Sequence, residues 1–99
     1  MSRRLSWAPQ SRADLRGIGD YLALDDPAAA ERWVLKLMAA AERAAAAPTP
    51  GRRVPELGRD DVREVLVRSY RIVFRLRPKA LEVLTVFEGH HLLPDLPLD

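Results

Sequence analysis

The chain has 99 residues, 47% hydrophobic and 30% charged, with a net charge of +2 and no cysteine. That length supports a single hydrophobic core, the composition argues against disorder, and the lack of cysteine excludes disulfides and thiolate metal sites. No apolar run approaches the roughly 20 residues of a membrane span, and no apolar segment follows the basic start Met1-Ser2-Arg3-Arg4, so a cytoplasmic protein without a signal peptide is expected.

Residues 3–8 form the first expected strand, with Leu5 and Trp7 on one side and Arg4 and Ser6 on the other. Pro9 ends it and suits the first position of a helix, where its missing N–H has no partner to lose. From 10 to 24 the apolar positions Leu15, Ile18 and Leu22 recur at helical spacing, with Arg12, Arg16 and Asp20 on the wet side. Gly17 and Gly19 each weaken that helix by about 1 kcal/mol relative to alanine. At Asp26-Pro27 a second helix starts, capped by the aspartate side chain, and it is expected to run to residue 47. Ala30, Trp33, Val34, Leu37, Met38, Ala41 and Ala44 are its buried stripe. The short link between the two helices makes them an antiparallel hairpin.

Pro48-Thr49-Pro50-Gly51 breaks the helix, and residues 48–61 read as an exposed, irregular loop. Residues 62–88 then form three runs rich in β-branched and aromatic residues, separated by breaks short enough for hairpins. In the middle run Tyr70, Ile72, Phe74 and Leu76 alternate with Arg71, Val73, Arg75 and Arg77, which predicts one greasy and one basic face. A Pro- and Asp-bearing tail, 89–99, is too short to fold alone. The resulting fold class is α+β, in the order β-α-α-β-β-β: two N-terminal antiparallel helices packed on one face of a small twisted antiparallel sheet.

Charge is uneven along the chain. Residues 51–79 carry nine basic and four acidic groups, whereas residues 80–99 carry four acids and no Lys or Arg. Fourteen of the sixteen basic residues are arginine, whose planar fork matches phosphate and carboxylate; a GC-rich coding sequence is the other source of such a bias. Three groups could carry chemistry. Arg71, Arg75 and Arg77, with Arg63 and Arg68 beside them, could form an anion-binding surface or a merely solvated face. His90, in the His90-His91 pair just past the last strand, could serve as a general acid or base or be an ordinary surface histidine. Glu56, a carboxylate in a basic loop, could be a base or could pair with Arg52, Arg53 or Arg59. No metal site and no cofactor are expected.

Several of these stretches resemble one known family. They are Ala13-Asp14-Leu15-x-x-Ile18-x-x-Tyr21-Leu22-Ala23, Asp26-Pro27-x-Ala29-Ala30, Gly51-Arg52-x-Val54-Pro55-Glu56-Leu57, Arg63-Glu64, and Tyr70-Arg71-Ile72-Val73-Phe74-Arg75. Together they look like the RelE/ParE superfamily of toxins from type II toxin–antitoxin modules, over nearly the whole chain and closer to the ParE-like branch. The resemblance implies one toxin domain over 1–99 that blocks DNA gyrase without catalysis. It implies as partner an antitoxin, a small ribbon-helix-helix protein with a disordered C-terminal segment, in a hetero-oligomer. The alternative within the superfamily is a ribosome-dependent mRNA endonuclease, in which Glu56, Arg71 and His90 would be base, phosphate clamp and acid. RelE-type nucleases carry lysines on the strand before the Tyr-Arg strand, where this chain has Glu64 and Leu66, and a late tyrosine, whereas no tyrosine follows Tyr70 here. A third alternative is an inactive homologue that only binds antitoxin. Arg63, Arg68, Arg71, Arg75, Arg77, Leu92 and Leu93 are the expected antitoxin- or target-binding residues.

Overall fold

The structure is a computed structural model that describes residues 2–98. Its elements are β1 (Arg4–Trp7), α1 (Pro9–Ala23), α2 (Pro27–Ala46), β2 (Arg52–Arg53), β3 (Val62–Val67), β4 (Tyr70–Arg77) and β5 (Ala80–Glu88). The helices start where the local chemistry directs. Pro9 occupies the first turn of α1, and Ser11 Oγ donates to the Ala8 carbonyl at 2.7 Å. Asp26 caps α2 by accepting from the N–H groups of Ala28 and Ala29 at 3.1 and 3.2 Å.

Two helices pack against a five-stranded sheet of order β1-β5-β4-β3-β2. The hairpins β3–β4 and β4–β5 are antiparallel, as short connections require. The pairing of β1 with β5 is parallel, so the sheet is mixed where all-antiparallel pairing was expected. The helical hairpin between β1 and the other strands frees β1 from the direction a tight turn would impose. β2, only two residues long, pairs with Glu64 and Arg63 inside the stretch expected to be irregular.

β1 pairs with β5 only as far as Val83, which leaves the following edge of β5 open. Asp14 of α1 closes it, with Oδ2 accepting from the Val86 N–H at 3.0 Å and from Thr85 Oγ1 at 2.6 Å. The carboxylate takes over where the strand stops, and so ties α1 to the sheet.

The main core lies between the helices and one sheet face: Leu15, Leu37, Ala41, Ile72, Phe74, Leu81, Val83 and Val86 are buried there. The opposite face is not the open basic surface that the alternation in β4 predicted. Val54, Val62 and Val73 are buried on it beneath Phe87, Leu93, Leu96 and Leu98. The C-terminal tail thus straps the second face. A segment with no secondary structure of its own can in this way close a smaller satellite cluster beside the main core.

Candidate functional site

Glu56 is positioned by a tight turn. The N–H groups of Leu57 and Gly58 both donate to the carbonyl of fully buried Val54, at 3.1 and 3.0 Å, and Gly58 adopts a φ of 61°. That turn lifts Glu56 over the strapped face of the sheet, where Arg71 of β4 meets it. Arg71 Nη1 and Nη2 donate to the two carboxylate oxygens of Glu56 at 2.7 and 2.8 Å, a fork-on-fork pair. Arg71 Nε donates to Glu64 Oε1 at 2.6 Å, and Arg52 Nε donates to Glu64 Oε2 at 2.8 Å. The cluster is therefore a chain of alternating charge, Arg52–Glu64–Arg71–Glu56.

Burial peaks at Glu64 and falls off toward both ends of that chain, to Arg52 on one side and Glu56 on the other. The Glu64 side chain is 0% exposed, Arg71 10% and Glu56 41%. Register explains it: Glu64 lies opposite Val73, so Arg71, two residues along β4, is its diagonal neighbour on the strapped face. The guanidinium also lies 5.1 Å from the centroid of the Phe87 ring. Hydrogen bonding to Arg71 holds the Glu56 carboxyl down at about 2, against an ordinary 4.5. The same pairing, led by Glu56, raises Arg71 above its usual value.

His90 lines one cleft of about 310 Å³ with Glu56 and Arg71. The three residues named together from sequence are thus brought to one place. There the Glu56 carboxylate and the Arg71 guanidinium are bound to one another. A carboxyl held at about 2 is a feeble base near neutral pH. The Arg71 guanidinium already donates to two glutamates. His90 is 70% exposed, with Nδ1 3.2 Å from Glu88 Oε2 and its ring edge-on to His91.

The remaining expected surface residues scatter. Arg63 lies on β3 and donates to the Asp60 carbonyl at 3.0 Å. Arg75 is half-buried near Asp61, at 3.4 Å. Arg77 is exposed at the end of β4, and Arg68 is exposed in the β3–β4 turn. Leu92 is 93% exposed, whereas Leu93 is spent on the second core. Arg71, Arg75 and Arg77 do not make a continuous basic face, because the first two turn inward to carboxylates.

Glu64 is the site member that sequence reasoning did not single out. A signal for it existed: Glu64 alternates with Val62 and Leu66 on one side of β3, and a lone carboxylate in such a row needs a buried cation. Among the described residues no group of three or more His, Asp or Glu is placed to hold a metal ion. No helix among them is long and apolar enough to cross a membrane.

With this geometry established, comparison with known proteins gives two positive findings. The family model for the ParE toxin of the type II toxin–antitoxin system, parDE, matches residues 5–92. Among solved structures, the chain is similar to the chromosomal ParDE TA system from P. aeruginosa, with a TM-score of 0.72 and 22% sequence identity, over 88% of this chain and 96% of that one. At that identity the structural likeness is one of fold. The comparison with curated proteins gives no match.

Proposed function

We propose, from the premise that this chain belongs to the ParE toxin family of type II toxin–antitoxin systems, that residues 1–99 act as one toxin domain that inhibits DNA gyrase and is neutralised by a cognate antitoxin. The observation that carries the choice of target over RNA cleavage is the pairing of Arg71 with both Glu56 and Glu64. A nuclease using these groups needs a carboxylate that can take a proton and a guanidinium free to grip phosphate. Here each occupies the other. Glu64 makes the arrangement durable, since its buried charge is compensated only while Arg71 and Arg52 stay in place.

A gyrase inhibitor needs no proton transfer, only a stable surface. On this reading the charged chain is a brace that pins the 54–58 turn to the sheet. The residues left for binding are the exposed ones, Arg68, Arg77 and Leu92, and the antitoxin is expected to be a ribbon-helix-helix protein whose C-terminal segment folds on binding. A supercoiling assay with purified gyrase tests the proposal. Inhibition at micromolar toxin, and unchanged inhibition by His90→Gln, are expected. Absence of inhibition together with cleavage of ribosome-bound messages would replace it with the nuclease.

A further inference from the structure

One cluster of charge lies away from the brace. On α2, Ala29, Arg32, Trp33 and Lys36 recur at helical spacing and share one side of the helix, and Arg68 of the β3–β4 turn comes down against that side. Together they line a depression of about 240 Å³. The Lys36 ammonium stands 5.0 Å from the Trp33 ring centroid, and the Arg68 guanidinium carbon stands 6.0 Å from it. The indole is itself anchored, tilted against the buried Tyr70 ring at a centroid distance of 5.9 Å. Two cations thus crowd one aromatic ring, with a third, Arg32, beside them.

None of these three cations shares an ion pair with a carboxylate among the described residues, whereas Arg52, Arg53, Arg59, Arg71 and Arg75 all do. Arg68 also sits at φ 53°, in the left-handed region that costs a residue with a side chain about 1–2 kcal/mol. It is the only non-glycine residue there among the described ones. Glycine would remove that cost, but it would also remove the cation.

We propose that this cluster anchors an acidic peptide segment of a protein partner, its carboxylates on Arg32, Lys36 and Arg68 and an apolar side chain beside Trp33. Charge complementarity selects the occupant. Like charges brought together around one ring are relieved by an anion, and the arginine forks donate two parallel hydrogen bonds to one carboxylate. The cluster is compact, and acids bound it along the same helix: Asp25 and Asp26 lie just before the N-terminus of α2, and Glu31 adjoins Arg32. That border admits a few carboxylates and disfavours a long polyphosphate backbone, which needs an uninterrupted basic track. Leu35, exposed one turn from Arg32, offers an apolar step for a segment that alternates acid and aliphatic residues. This deepens the antitoxin part of the preceding reading by naming the surface that holds it, and rests on that reading for the source of the segment.

The test uses the intact chain and fluorescence anisotropy of two labelled probes, an octapeptide alternating Glu and Leu and a twelve-nucleotide single-stranded DNA. The peptide is expected to bind saturably and to weaken with rising salt. The double variant Arg32→Glu, Lys36→Glu and the single variant Arg68→Glu should each lose roughly tenfold or more in affinity. Arg12→Glu with Arg16→Glu, equal in charge change but on α1, should bind as wild type does. All replaced side chains are exposed, and circular dichroism checks that each variant is folded. No saturable peptide binding, an equal loss in the Arg12/Arg16 pair, or binding of the DNA in preference to the peptide through these three residues would each overturn the inference. Co-purification of an antitoxin with the wild-type chain tests the antitoxin reading separately, so the two can fail independently.

Discussion

Replacing Glu64 is the sharpest test of the charged brace. Its side chain is fully buried and receives Arg71 Nε at 2.6 Å and Arg52 Nε at 2.8 Å. Glu64→Ala removes the shared acceptor and leaves Arg71 with Glu56 alone. Breaking a buried pair by removing one partner costs about 3–5 kcal/mol, and the surviving Glu56 bond places this case near the lower end. About 3 kcal/mol is therefore expected, which for a domain of this size lowers Tm by roughly 12–24 °C. Glu64→Gln keeps an oxygen acceptor while losing the charge, so about half that loss is expected. Glu56→Gln, at the wetter end, should cost only about 1 kcal/mol. Urea unfolding followed by far-ultraviolet circular dichroism measures all three. If Glu64→Ala unfolds within about 0.5 kcal/mol of wild type, the network contributes nothing to the fold and the brace is refuted.

Other predictions address pH, packing and toxicity. Because Arg71 depresses the Glu56 carboxyl to about 2 from 4.5, its stabilisation is present above 4.5 and is lost as pH falls through about 2. The difference in urea midpoint between wild type and Glu56→Gln should accordingly be constant above about 4.5 and vanish near 2, and a pH-independent difference would contradict the pairing. Gly51 has φ 63°, and a Cβ there would collide with the Glu64 carbonyl oxygen and lie 3.1 Å from Phe74 Cζ, so Gly51→Ala should destabilise by about 2–3 kcal/mol in the same assay. Arg68→Gly should raise stability by about 0.5–1 kcal/mol while weakening acidic-peptide binding; a destabilised variant would show that the turn is not strained. In induced cells, His90→Gln should arrest growth as wild type does, and full loss of toxicity with the fold intact would favour RNA cleavage.

Much of this protein was legible in its sequence, because the signals concerned are local. Pro9, Asp26 with Pro27, and the Pro48–Gly51 break act on their own neighbours, so the helices and their order follow from them. The period-two alternation of β4 likewise identified the face that packs on the helices, because Ile72 and Phe74 have only one means of leaving water. The strand-helix-helix-strand order and the family motifs then pointed to a ParE-type toxin, and the family match agrees.

Tertiary structure decided what the polar residues do. Alternation shows that Arg71 and Val73 share a face, but not whether that face meets water. The tail residues that cover it, Leu93, Leu96 and Leu98, lie about twenty residues further along the chain in an irregular segment with no period to read. Glu56 and Glu64 reach Arg71 from fifteen and seven residues away; the row Val62, Glu64, Leu66 marks Glu64 as in need of a cation, but nothing in the sequence says that the cation is Arg71 or that Glu56 joins it. The direction of β1 was undetermined for a similar reason: twenty residues of α2 and fifteen of α1 separate it from the rest of the sheet, so no turn links its polarity to that of β5. Hydrophobic period is a property of a segment, whereas the worth of a charge depends on which partner and how little water the fold brings to it.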